Sequence, residues 1–91
     1  MSWHVSMTIE GSSPKDELET LRAEALAQNP ECGDQFDAAK DAAYAIMAMG
    51  AVGGPDKKFV ITLSGHNNPG HAPRLGWAHD AVTVSVTQAL F

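Results

Sequence analysis

The chain has very little cysteine, few aromatic residues and few positive charges. A single cysteine, Cys32, in 91 residues rules out an internal disulfide and fits a reducing compartment. Aromatic residues make up 7% of the chain, so any apolar core has to be built mainly from aliphatic side chains and alanine. Six Lys and Arg stand against eleven Asp and Glu, a net charge of −5. That balance argues against a chain that coats nucleic acid or an anionic membrane. No apolar run approaches the roughly 20 residues of a membrane span. The N-terminal residues lack the basic, apolar and small-residue order of a signal peptide. What is present, 44% apolar and 19% charged residues, is the make-up of one soluble globular domain covering residues 1–91.

The pattern of side chains then gives an order of elements. Trp3, Val5, Met7 and Ile9 alternate with His4, Ser6 and Thr8, the period of a strand with one buried face. A helix is expected next, with Ser13 as N-cap, Pro14 at the first helical position and an apolar stripe of Leu18, Leu21, Ala25 and Leu26. Asn29-Pro30 stops it. A second, alanine-rich helix is expected from Gly33-Asp34, capped by Asp34, with Phe36, Ala39, Ala43 and Ile46 or Met47 on its buried side. Gly50 and the Gly53-Gly54-Pro55 run end it. Phe59, Ile61 and Leu63, then Val82, Val84 and Val86, alternate with polar or β-branched neighbours and read as two more strands.

The expected fold is therefore α+β, in the order β-α-α-β-β. It has a three-stranded antiparallel sheet with a helical hairpin on one face, because short connections alternate the directions of successive elements. Strand order within the sheet is open at this point. Such a sheet has two edges, and proteins tend to cover exposed edges. A homodimer is the first expectation, with a larger closed ring as the alternative. Eight of the eleven acidic residues fall between Asp16 and Asp41, so the acidic surface belongs to the helices and reads as a solvated face. Met7, Met47 and Met49 read as core fillers, and Cys32 as an inert thiol.

The unusual segment is the expected loop from Gly65 to Asp80, with three histidines, two asparagines and two prolines. Loops of that length are uncommon in compact domains and are often functional. It reads either as a loop wrapped over a dimer interface or as a contact surface. In the second case the contacts are His66, Asn67, Asn68, His71, Arg74, Trp77, His79 and Asp80. His66, His71 and His79 with Asp80 could form a zinc-like donor set, but their spacing is not a recurring zinc pattern, and no metal or other cofactor is expected. Ser64, His66 and Asp80 could be arranged as a nucleophile, base and orienting acid. No nucleophile elbow surrounds Ser64, so no catalytic residue is assigned and the chain is read as a non-enzyme. No P-loop is present, although Arg74 and the loop histidines could meet a small anion.

The stretches Ser64-Gly65-His66-Asn67-Asn68-Pro69-Gly70-His71-Ala72-Pro73 and Gly76-Trp77-Ala78-His79-Asp80-Ala81-Val82-Thr83-Val84-Ser85-Val86 resemble a group of small proteins encoded by tailed phages of actinobacteria, mycobacteriophages among them. The likeness covers about a third of the chain. In that group Asn stands where His79 stands here, a departure that weakens the three-histidine donor set. The resemblance implies a phage origin and brings no catalytic residues. The function expected is that of a phage accessory protein in the host cytoplasm. It would oligomerise and bind a host protein, modulating host physiology or defence. The alternatives are a sponge for a nucleotide signal held between subunits and a minor virion component.

Overall fold

The computed structural model describes residues 2–11, 14–50, 54–66 and 81–89, with the side chains of 54–57 excepted. The elements are β1 (Ser2–Gly11), α1 (Lys15–Gln28), α2 (Gly33–Ala48), β2 (Gly54–His66) and β3 (Ala81–Gln88). The three strands form one antiparallel sheet in the order β1-β2-β3, and the helices pack on one of its faces. The α+β architecture read from the sequence is the one observed. β2 is the central strand, which settles the strand order. The long axis of the protein, 44 Å, is close to the length of the 13-residue β2 at about 3.3 Å per residue.

Strand alternation builds two unlike faces. On the helix-covered face Leu63 lies between Val5 and Val84, Ile61 between Met7 and Val86, and Phe59 opposite Ile9. Trp3, Val5, Ile9, Phe59, Ile61 and Leu63 are buried there against Leu18, Leu21 and Ala25 of α1 and Phe36, Ala39 and Ala43 of α2. The alanines let the helices lie close to the sheet, and the few large residues fill what remains. Trp3 and Phe36 meet with ring centroids 5.8 Å apart. Area burial of such side chains contributes about 1.5–3 kcal/mol each, the largest favourable term in the fold. The other face carries His4, Ser6 and Thr8 of β1, Val60, Thr62 and Ser64 of β2, and Thr83, Ser85 and Thr87 of β3. Ser6 and Thr62 hydroxyls are linked across it at 3.0 Å.

α1 lies over β1, and α2 over β2 and β3. The hairpin is tied by Arg22 of α1, which donates to both Asp37 carboxylate oxygens of α2, at 2.9 and 3.2 Å. That contact holds the Asp37 carboxyl below its ordinary pKa and raises that of Arg22. In the turn between the helices, buried Asn29 accepts at its side-chain oxygen from the Glu31 amide at 3.1 Å, an Asx turn.

Several local expectations need correction. Pro14 is the N-cap residue of α1, so the helix starts one residue later than expected, and Ser13 lies outside the described residues. Cys32, rather than Asp34, occupies the N-cap position of α2, and Asp34 sits in the first turn, where its charge still favours the helix dipole. Gly50 ends α2 in the left-handed region, φ 75°, as a glycine just past a helix does. β2 is longer than its alternating core: it begins at Gly54, inside the run expected to end the second helix, and continues through Gly65 and His66. His66 pairs with Ser2 in continuous register, and Gly54 pairs with Gly11 across a register irregularity that follows the Glu10–Lys58 pair, so β1 meets both ends of β2. Met49 is 81% exposed and fills no core, whereas Met7 and Met47 are partly buried against it.

Candidate functional site

Of the residues expected to form a contact surface, His66 is described. Asn67, Asn68, His71, Arg74, Trp77, His79 and Asp80 lie outside the described residues. His66 is the last residue of β2, half-exposed on the hydroxyl-bearing face of the sheet. Its surroundings follow from the register. Trp3 stands directly opposite Gly65, and Ser2 opposite His66. A glycine leaves a gap in the inner face of a strand, and a large aromatic side chain on the neighbouring strand can lie across it. The indole of Trp3 does so. A Cβ at Gly65 would sit 2.4 Å from Trp3 Nε1 and 2.9 Å from Gln35 Oε1.

The same indole starts a chain of hydrogen bonds. Trp3 Nε1 donates to Gln35 Oε1 at 2.9 Å, and Gln35 Nε2 donates to the backbone oxygen of His66 at 3.0 Å. Gln35 is 1% exposed, a buried polar residue on the sheet side of α2. Its two ends are both satisfied, so its burial carries no unpaired group. Ser2 Oγ lies 3.0 Å from His66 Nδ1. His66 is thereby fixed from two sides, by the core through Gln35 and by β1 through Ser2.

Ser2, Trp3, His4, Ser64, Gly65, His66, Ala81 and Thr83 surround a shallow depression of about 350 Å³ at this end of the sheet. Hydroxyls and two imidazoles line it, which suits hydrogen bonding to a polar partner. The nucleophile–base pairing weighed for Ser64 and His66 takes a different form here. They share a face two residues apart, but the hydroxyl on the imidazole belongs to Ser2, and Asp80 lies outside the described residues. Among the described residues no group of three His, Cys, Asp or Glu side chains converges as a metal site. Cys32 is fully buried, and burial pushes its thiol pKa up, away from the reactive thiolate.

Sequence reasoning missed Ser2 and Gln35. Ser2 was legible, since the β1 alternation puts it on the face of His4. Gln35 was not, because a polar residue inside an apolar helix face has no signal until its partner is known. A second concavity, about 260 Å³, lies between the helices and is lined by Lys15, Leu18, Glu19, Arg22, Lys40 and Tyr44. It gathers three cationic side chains on an otherwise acidic layer. Compared with family models, curated proteins and solved structures, the chain matches none.

Proposed function

We propose that this chain is a non-enzymatic accessory protein of an actinobacterial phage. It acts in the cytoplasm of the infected cell, self-associates through its sheet, and uses the segment from His66 to Asp80 to bind a host protein and alter its activity. The observation that carries this reading is the brace from Trp3 through Gln35 to the His66 backbone. Recognition segments bind well when a rigid scaffold sets their base, because less order has to be acquired on binding. A buried glutamine tied at both ends is a costly feature to keep for packing alone.

The test is affinity capture from lysate of an actinobacterial host, with Arg74→Ala/Trp77→Ala alongside the parent. The expected outcome is one recurrent host protein retained by the parent and lost by the variant, with unchanged thermal unfolding. No recurrent protein, or equal capture by both, refutes the reading.

A second reading, sequestration of a small phosphorylated ligand such as a nucleotide, is favoured by the helix groove. Lys15, Arg22 and Lys40 meet there beside the partly exposed ring of Tyr44. Two of these cations are engaged with Asp37, which competes with any anion. A thermal-shift panel of nucleotides, with Lys15→Ala/Lys40→Ala as control, checks it. No shift with any nucleotide removes it.

A further inference from the structure

The two edges of the sheet are treated differently. On β1 the outward-facing backbone groups of His4 are taken up by one side chain. The His4 amide donates to Gln28 Oε1 at 2.8 Å, and Gln28 Nε2 donates to the His4 carbonyl at 2.8 Å. The end of α1 thus occupies that edge. Because His4 points its backbone outward, its pairing with Ser64 is of the non-hydrogen-bonded kind, and alternation fixes the rest of the sheet. Ser64 turns its backbone toward Thr83, and Val82, Val84 and Val86 turn theirs out of the sheet along β3. The bond from the Ala89 amide to the Lys58 carbonyl has the parity this requires.

Among the described residues the edge of β3 has none of the usual guards. Its sequence, Ala81-Val82-Thr83-Val84-Ser85-Val86-Thr87-Gln88, contains no charge and no proline. It is also chemically symmetric about Val84. Reversed, Val82-Thr83-Val84-Ser85-Val86 keeps valine facing valine and hydroxyl facing hydroxyl. The three valines are half-buried at the rim of the core, so apolar surface runs to the edge.

A second observation points to the same place. Asp37, Lys40 and Tyr44 mark the side of α2 turned to α1. On the opposite side, at helical spacing, lie Ala38, Ala42, Ala45 and Met49, with Ile46 beside them. None is charged; Ala42 and Ala45 are exposed and Met49 is 81% exposed. This stripe overlooks β3, since α2 rests on β2 and β3.

We propose that two copies of this chain join β3 to β3 in antiparallel fashion about a two-fold axis at Val84, making one continuous six-stranded sheet. Val84 pairs with the partner's Val84 and Val82 with the partner's Val86. Thr83 then lies opposite the partner's Ser85 on the outer face. With α2 centred over the β2–β3 pair, two strand spacings of about 4.8 Å place the α2 axes about 10 Å apart across the seam. Packed helices lie about 8–10 Å apart, and alanine is the residue that permits this. The uncharged strand and stripe bring no like charges together at the centre, while Asp34 and Asp41 border the stripe on its solvent side. The dimer therefore tightens with salt. The strand and stripe are smaller than the roughly 20 residues a side of a standard interface, so the dissociation constant falls on the order of micromolar.

This seam deepens the self-association in the proposed function and rests on it. The experiment is sedimentation of the full chain up to roughly 100 µM, above the micromolar dissociation constant expected for an interface of this size. It includes Ala42→Glu, the control Ala23→Glu on exposed α1 surface, and Thr83→Cys/Ser85→Cys. In the proposed register the latter two positions form a non-hydrogen-bonded pair about 4.5 Å apart at Cα, within disulfide range. The parent and Ala23→Glu dimerise, and Ala42→Glu weakens association by roughly tenfold or more, with unchanged unfolding of the dilute protein. Oxidation of the double-cysteine protein yields a covalent dimer. A parent that stays monomeric overturns both the seam and the self-association. A dimer that tolerates Ala42→Glu and forms no covalent product overturns the seam and leaves self-association standing by another surface.

Discussion

Replacing Gly65 by alanine adds one methyl group, and its cost can be worked from the structure. The new Cβ would lie 2.4 Å from Trp3 Nε1, 2.7 Å from Trp3 Cε2 and 2.9 Å from Gln35 Oε1. None of these atoms has room to yield. Trp3 is 2% exposed and packed against Phe36, and Gln35 is 1% exposed and held at both ends. Overpacking of a filled core costs about 1–3 kcal/mol. Moving the indole also breaks or strains a buried hydrogen bond, and a buried group left unsatisfied costs about 1–3 kcal/mol. The expected loss is about 2–6 kcal/mol from a total of roughly 5–14 kcal/mol for a domain of this size. That corresponds to a fall in Tm of roughly 10–30 °C. Urea unfolding at neutral pH, followed by tryptophan fluorescence, measures it. Gln35→Met removes both hydrogen bonds at similar volume. Because the two residues meet the same indole, the double variant should lose less than the sum of the single losses. A Gly65→Ala protein within about 0.5 kcal/mol of the parent, below any overpacking penalty, would refute the close approach of Trp3 and the brace that depends on it.

Two further outcomes follow from single contacts. Gln28→Ala should cost only about 1 kcal/mol, since water replaces the lost bonds at an exposed site, but it uncovers the β1 edge. Light scattering on heating should show earlier aggregation, and an unchanged onset would mean that Gln28 does not protect that edge. Asp37 has its pKa lowered by the hydrogen bond from Arg22, so its stabilisation is present above the ordinary carboxyl range and is lost as pH falls through the lowered folded value. The pair is more than a third exposed, which limits the effect to a few tenths of a kcal/mol. Asp37→Asn should therefore flatten the acid side of the stability profile, measured by denaturant unfolding at neutral and acid pH. An identical acid slope would deny the pair any role.

The five elements and their faces were legible because Trp3, Val5 and Ile9, then Leu18, Leu21 and Ala25, then Phe59, Ile61 and Leu63 repeat at the period of the structure they form. Their ends were less so. Glycine and proline at 53–55 argue locally for a loop, yet pairing with β1 extends β2 back to Gly54. The same templating draws Gly65 and His66 out of the expected loop and into the strand. Of the candidate site, His66 was named from composition, but its partners were not. Ser2 and Gln35 lie 64 and 31 residues away in the chain, and no local pattern connects them to it.

Sequence by itself determined the element order, the buried stripe of each element and the concentration of acid on the helices, because each depends on neighbours a few residues apart. Tertiary structure alone decided that β2 is central, that Gln28 occupies one edge while β3 keeps its backbone turned outward, and that Gln35 ties the core to His66. Those features arise from contacts between distant residues, whose geometry exists only once the helices have settled on the sheet.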